Sequence, residues 1–247
     1  MSLDLPHQGG TRKILTDISF EVHRGEFVTI VGPSGTGKTT LVRVLGGLTP
    51  CTSGSVRFNG REVDAPPEGV VIVFQDYAHA LLQWRTVVRN VAFGIEGRVT
   101  ACELRDRVSS ALRLVGLEGY DDDFPWQLSG GMQQRVQIAR ALAVRPAVLL
   151  MDEPFAALDA MTKASLQDEL LRVKHETDCS IVFITHDIEE AVYLGDRVAV
   201  INGSPGTIRQ TFDITLGKPR DQIMTRQTAE FLKFRYAVHQ AIGGVAS

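Results

Sequence analysis

Several protein classes are excluded by what this sequence lacks. Its three cysteines, Cys51, Cys102 and Cys179, are odd in number, far apart and without C-x-x-C spacing. Neither a disulfide framework nor a zinc site is indicated, and a reducing cytosol fits best. No apolar run approaches the roughly 18 residues that a membrane-spanning helix needs, and the opening MSLDLPHQGG lacks the apolar core of a signal peptide. The chain is therefore expected to be soluble by itself. Basic residues are not in excess either. With 26 Lys and Arg against 29 Asp and Glu, the net charge is −3, so the electrostatic footprint of a nucleic-acid partner is missing. No internal repeat or low-complexity tract is visible. What is present is core-forming material: 44% of 247 residues are hydrophobic, enough for one large domain or for a core with an insertion.

Short β-rich apolar runs occur at ISFEV (18–22), FVTIV (27–31), VVIVF (70–74), AVLLM (147–151), SIVFIT (180–185) and RVAVI (197–201). From the second onward they alternate with helix-like segments, the pattern of an α/β sheet with parallel crossovers. SVRFNGREV (55–63) predicts a hairpin around Asn59-Gly60, hence a small antiparallel piece beside the sheet. Between Gln75 and Arg145 the strand signals stop. Thr100 and Glu103 make a capping-box pair there, Leu104, Val108, Ala111 and Val115 share one helical face, and Gly116 stands at the stop. The expected organisation is a core over about 1–75 and 146–215, a helical subdomain over about 76–145 and a helical tail over about 216–247. In that tail Phe231, Phe234, Val238 and Ile242 recur at helical spacing, as in a terminal helix packed on its own core.

Immediately after FVTIV comes GPSGTGKT, Gly32 to Thr39, followed by the helix start TLVRVLGG. This is the G-x-x-x-x-G-K-[ST] phosphate loop. Its glycines let the backbone wrap phosphate oxygens with N–H donors, Lys38 reaches the β- and γ-phosphates, and Thr39 holds Mg²⁺. The expected nucleotide contacts are Gly32, Pro33, Ser34, Gly35, Thr36, Gly37, Lys38, Thr39 and Thr40. AVLLMDEP (147–154) is a buried strand ending in two carboxylates, at the sheet edge where ligands of α/β proteins bind. Asp152 is the metal-side carboxylate. Glu153, one residue on and pointing differently, is suited to orient and deprotonate an attacking water. His186 closes the strand SIVFITHD and is placed as a γ-phosphate contact. Gln75, ending VVIVFQ, carries an amide oxygen able to approach Mg²⁺ or the water, or is simply a polar strand terminus. LSGGMQQR (128–135) opens a helix that Pro146 stops. Ser129, Gly130 and Gly131 form either an anion site at a helix N-terminus or a plain serine cap after a turn.

Taken in order, GPSGTGKT, VFQDY, LSGGMQQR, VLLMDEP, AALD and ITHD resemble the ATP-binding-cassette ATPases across almost the entire chain. The resemblance implies a P-loop NTPase (RecA-like) α/β fold: a mostly parallel sheet core, a small antiparallel β subdomain and an inserted α-helical subdomain. It also implies a head-to-tail dimer with a second copy of the chain, two ATPs sandwiched between them. Ser129, Gly130, Gly131 and Gln133 would then serve the nucleotide held by the other copy's phosphate loop, and Asp159 would communicate across the dimer. Within the family, the stretches 73–96 and FDITLGKPRD (212–221) look like the ATPase subunits of nitrate, sulfonate and taurine-type importers. Those pair two ATPase chains with two membrane permease subunits and a substrate-binding protein, at the cytoplasmic face of the inner membrane. By that likeness Tyr77, Leu81, Leu82 and Trp84 receive a permease coupling helix, although such apolar side chains could equally be helical core.

Two departures stand out. Gln83 occupies a place where relatives usually carry proline. No aromatic residue precedes Phe20 to stack on adenine as the family normally does, only Leu5 and His7 lie near that place, and the first strand looks clipped. A competing assignment is a cassette protein of DNA repair, chromosome structure or ribosomes. Such proteins usually carry a long coiled-coil insertion or two tandem cassettes, and this sequence has neither. A binding module without turnover is argued against by the presence of Glu153, Gln75 and His186 together.

Overall fold

In the computed structural model, residues 1–7, 10–75, 80–156 and 158–243 are described. In chain order the elements are β1 (Leu3–His7), β2 (Gly10–Leu15), β3 (Phe27–Val31), α1 (Lys38–Leu45), β4 (Arg57–Phe58), β5 (Arg61–Glu62), β6 (Val70–Val73), α2 (Val87–Ala92), α3 (Ala101–Leu114), α4 (Gly130–Ala143), β7 (Val148–Asp152), α5 (Ala160–Glu176), β8 (Ser180–Thr185), α6 (Ile188–Leu194), β9 (Arg197–Asn202), β10 (Thr207–Asp213), α7 (Met224–Gln227) and α8 (Ala229–Gly243).

Every residue of β3 and of β8 is buried, which explains why their sequences are unbroken apolar runs rather than alternating ones. They lie side by side inside a six-stranded sheet of order β10-β9-β3-β8-β7-β6. β6, β7, β8, β3 and β9 run parallel, and β10 closes one edge antiparallel to β9. Val31 pairs with Thr185 and Asp152 with Ile184, so the C-terminal ends of β3, β7 and β8 meet at one edge of the sheet. The fold is the P-loop NTPase architecture expected from the sequence.

The hairpin around Asn59-Gly60 is shorter than the sequence suggests. β4 and β5 pair over two residues each, joined by Asn59 at φ 50° and Gly60 at φ 77°, the double left-handed turn that a tight hairpin needs. The run Ile18–Val22, expected as a strand, forms no ladder. Its burial alternates as in a strand, but among the described residues its backbone-to-backbone hydrogen bonds are made only at Ile18, with Met1 (2.7 and 2.9 Å), and the Glu21 carbonyl accepts from the Arg197 side chain. Among the described residues no strand lies beside the rest of it. The N-terminal stretch in which the first strand looks clipped forms β1, paired antiparallel with β2.

Between residues 80 and 146 the described elements are helical. Thr100 Oγ1 accepts the Glu103 N–H at 3.3 Å and so caps α3, while the Glu103 carboxylate turns to Arg107 (2.6 and 3.0 Å) instead of completing the capping box. Val108, Ala111 and Val115 are buried, and Leu104 packs at their margin. These helices share one apolar cluster with β3, β7 and β8. In α8, Phe231 and Val238 are buried with Phe234 and Ile242 beside them, and Asn202 Nδ2 donates to Ile242 O at 2.7 Å. The tail is thus a helix packed on its own core.

Candidate nucleotide site

The phosphate loop leaves β3 in close quarters. A Cβ on Gly32 would collide with the Ile201 carbonyl of β9, and Gly37 has φ 87° at the head of α1, so both positions require glycine. No side chain caps α1 and no acidic residue stands in its first turn. Its open N–H groups and dipole therefore face the loop with nothing of the opposite sign supplied by the helix itself. Lys38 is 5% exposed. Its Nζ donates to the carbonyls of Gly32 and Pro33, each at 2.9 Å, and lies 3.5 Å from Glu153 Oε1. Thr36 Oγ1 tightens the loop by donating to Pro33 O at 2.9 Å. Ser34, Gly35 and Thr39 are exposed, with Thr40 half-buried behind them.

Asp152 and Glu153 end β7 in contrasting environments. Asp152 is 3% exposed, and its Oδ1 has no hydrogen-bond partner among the described residues. Burial pushes its carboxyl above the ordinary carboxylate range, opposed by a hydrogen bond from the Thr39 side chain. Such an orphaned oxygen beside a hydroxyl suits a cation shared with phosphates. Glu153 has φ 45°, a strained conformation for a non-glycine residue, and donates its N–H to Ile184 O at 2.9 Å. The Glu153 charge is close enough to add to the upward push on the Asp152 carboxyl. One Glu153 oxygen faces Lys38, and the other is 2.8 Å from His186 Nδ1. His186 is half exposed, whereas Glu153 is mostly covered.

Gln75 follows β6. Val73 pairs with Met151, so Gln75, two residues past that pair, leaves the sheet at the same edge as β7 and is exposed there. Gln137 of α4 donates to the Phe74 carbonyl at 3.2 Å and pins the chain there. Sequence reading missed that role, since a glutamine inside an amphipathic helix carries no distinguishing signal.

Ser129 caps α4, its Oγ accepting the Met132 N–H at 3.3 Å. The serine-cap reading is correct as far as it goes. Gln133 Nε2 donates to Pro125 O and Leu128 O (2.9 and 3.2 Å), holding the turn that precedes the helix. Gly130 is half-buried and Gly131 buried. Among the described residues, the side-chain hydrogen bonds of Ser129 and Gln133 are all local and none reaches the phosphate loop. Asp159 caps α5, accepting from Met161 N and Thr162 N (3.1 and 3.0 Å) and from Thr162 Oγ1 (2.6 Å). Those hydrogen bonds, Thr162 foremost, hold its carboxyl below the usual range.

Of the apolar side chains after Gln75, Tyr77 lies outside the described residues. Leu81 is buried, so it belongs to the core and not to a docking surface, while Leu82 is half-buried. Trp84 is 76% exposed, with Phe93 half exposed under the Arg85 guanidinium. The loop carrying them is held from inside. Buried Asn90 donates to Leu82 O, Arg85 O and Thr86 O, and Arg140 donates to Ala80 O. Near the expected adenine position Leu5 is half-buried and His7 exposed. Ile14 carries no distinguishing signal in the sequence, yet its Cγ2 would lie 3.0 Å from a Cβ on Gly37, so β2 provides an apolar wall beside the loop.

Residues 15–156 match the ABC transporter family. An uncharacterized ABC transporter ATP-binding protein of Methanocaldococcus jannaschii is 47% identical over 230 residues, 92% of this chain and 83% of that one. The nitrate import ATP-binding protein NrtD of a Synechocystis species is 40% identical, covering 95% and 90%. The aliphatic sulfonates import ATP-binding protein SsuB of Bacillus thuringiensis is 37% identical, covering 96% and 92%. A solved dimeric ATP-binding cassette in a post-hydrolysis state, bound to ADP and Pi, has a TM-score of 0.74 at 30% identity, over 86% of this chain and 96% of that one. With the phosphate loop, the acidic strand end and the serine–glycine helix start all in place, the chain belongs to the ATP-binding-cassette transporter family.

Proposed function

We propose that this chain is the ATP-hydrolysing subunit of an importer for a small anion of the nitrate or sulfonate type. The observation that carries the enzymatic part is the placement of Glu153 between Lys38 and His186, at the end of β7 and beside the phosphate loop. Gly32 to Thr40 hold the triphosphate, and Lys38 exchanges its two carbonyl partners for β- and γ-phosphate oxygens. Glu153 orients a water and takes its proton as the water oxygen attacks the γ-phosphorus and ADP leaves. His186 holds the second Glu153 oxygen in place and lines the γ-phosphate, and Gln75 closes the site from β6.

The orphaned Asp152 oxygen and the Thr39 hydroxyl fit a Mg²⁺ ion, with Gln75 at its margin. When bound, the ion neutralises charge developing on the phosphates. Among the described residues no group of three His, Cys, Asp or Glu could hold a metal, so the nucleotide would supply the remaining ligands.

The start of α4, with Ser129, Gly130, Gly131 and Gln133, serves the nucleotide of a second copy. That reading is supported by its distance in hydrogen-bonding terms from its own phosphate loop and by the dimeric state of the related solved cassette. Asp159 sits beside it. In this view the core, about 1–75 and 146–215, carries the phosphate site, and the helical segment, about 76–145, carries the trans-acting one. Permease subunits dock near Trp84, a substrate-binding protein supplies the solute outside, and the chain sits peripherally on the cytoplasmic face of the membrane. No described helix is long and apolar enough to cross a membrane. The test is solute uptake by vesicles reconstituted with the co-encoded permease. ATP-dependent accumulation of nitrate or an alkanesulfonate is expected, and a purified complex that releases no phosphate from ATP overturns the proposal.

A further inference from the structure

The turn that carries His186 is anchored by a buried polar network in which none of the groups assigned to the reaction takes part. Thr185, the last residue of β8, is 2% exposed. Its Oγ1 accepts the Asp187 N–H at 3.0 Å and donates to Glu190 Oε2 at 2.6 Å, so one hydroxyl clamps both sides of His186. Glu190 is 4% exposed. A carboxylate so deeply placed must be matched by charge and hydrogen bonds. Its second oxygen receives Lys163 Nζ at 2.9 Å, and the same ammonium lies 3.6 Å from Asp187 Oδ2. Burial opposes the charge on Lys163, but the hydrogen bond and charge of Glu190 outweigh it and hold the ammonium above the ordinary lysine range. Asp187 in turn caps α6, accepting from Glu189 N and Glu190 N.

Lys163 belongs to a different element. It stands in the first turn of α5, its N–H donating to Asp159 O at 2.9 Å. The path from Asp159 to the catalytic edge is therefore short and continuous: Lys163, Glu190, Thr185, His186, Glu153. Lys163–Glu190, Glu190–Thr185 and His186–Glu153 are charged or hydrogen-bonded side-chain contacts, and Thr185 and His186 are neighbours in the chain.

We infer that Lys163 and Glu190 are positioning residues, which hold His186 against Glu153 and tie the start of α5 to the hydrolytic edge. The inference rests on the assignment of Glu153 and His186 above. A shift of α5 relative to β8 cannot leave the Lys163–Glu190 pair intact without carrying the His186 turn with it. Movement at Asp159 is thereby transmitted to the residue facing the γ-phosphate.

The test compares Lys163→Met, Lys163→Arg and the double variant Lys163→Met/Glu190→Gln with wild type. Three quantities are read: kcat and KM for ATP, the thermal midpoint, and the His186 ring signals in NMR of the nucleotide-free protein, assigned by their loss in His186→Gln. Lys163→Met is expected to lower kcat about tenfold, as small displacements of reacting groups do, with KM within about twofold because the phosphate loop is untouched. Its His186 signals should move. Lys163→Arg should restore most of kcat. The double variant removes the uncompensated buried charge, so its thermal midpoint should recover while kcat stays low. Unchanged His186 signals in Lys163→Met overturn the inference, and so does a kcat that simply follows thermal stability across the series. Should the wild type hydrolyse no ATP, the enzymatic assignment itself fails, whereas the NMR comparison still decides whether Lys163 positions His186.

Discussion

Gly131 and Thr162 sit so close that a Cβ on Gly131 would overlap Thr162 Cγ2. The second glycine of the serine–glycine motif is therefore a packing requirement as well as a flexible, donor-rich helix start. Thr162 is also the residue whose hydroxyl donates to Asp159, so α4 and α5 are locked together where both helices begin.

Gly131→Ala should destabilise the fold by about 1–3 kcal/mol, the usual cost of overpacking against a stiff β-branched neighbour. Thr162→Ser removes the offending methyl and keeps the hydroxyl. Combined with Gly131→Ala, it should recover most of the loss. Urea denaturation of the two single variants and the double variant checks this, and an additive double variant would show that the contact is not the cause.

Glu153→Gln is expected to bind ATP normally and to lower turnover by about 10² to 10⁴, the worth of a positioned general base. Lys38→Ala should instead weaken nucleotide binding itself. Equilibrium titration and phosphate release distinguish the two, and wild-type turnover in Glu153→Gln sinks the assignment of the base. Because Glu153 adopts φ 45°, Glu153→Gly should be more stable than Glu153→Ala, by about 1 kcal/mol.

Acid stability should depend on Asp196. Burial opposes its charge, but hydrogen bonds from Lys174, Lys218 and the Phe27 N–H prevail and lower its pKa from 3.8 to about 2. A carboxylate whose folded pKa is depressed contributes stability that is fully present above its unfolded pKa. That stability is lost as the pH falls through the folded value. The window is thus about pH 4 down to pH 2, and the contribution is about 2 kcal/mol. Asp196→Asn should flatten stability across that window, in denaturation curves taken at successive pH values. A variant that retains the full acid slope places the titrating group elsewhere.

Dimers mixed from Ser129→Arg and Lys38→Ala chains should hold one intact composite site and one doubly damaged site. Turnover of tagged heterodimers measures this. Ser129→Arg alone should lose ATP-dependent dimerisation, and a normal ATP-bound dimer of that variant would contradict service in trans.

Much of the site is legible in the sequence alone. The phosphate loop, Asp152, Glu153 and His186 follow apolar runs whose burial forces them into the parallel sheet, and a parallel sheet gathers its strand ends at one edge. Helix caps at Thr100 and Ser129 are equally local, since each side chain accepts an N–H three residues along. Other features have no local signal. β10 is a polar edge strand that exists because β9 offers it an unpaired flank, whereas Ile18–Val22 has the right alternation and, among the described residues, no strand beside it. Leu81 and Trp84 are three residues apart with similar apolarity, yet one is buried and the other exposed. The Lys163–Glu190 pair joins two helices separated by a strand, and a lysine on one amphipathic helix gives no indication of which carboxylate it will meet. Sequence by itself determined that the phosphate-loop motif, Asp152, Glu153 and His186 would stand at the ends of buried strands, because strand burial and backbone freedom are properties of neighbours along the chain. Tertiary structure alone decided how those residues are held against one another, because a charge buried between two elements is compensated only where packing brings its partner within hydrogen-bonding distance.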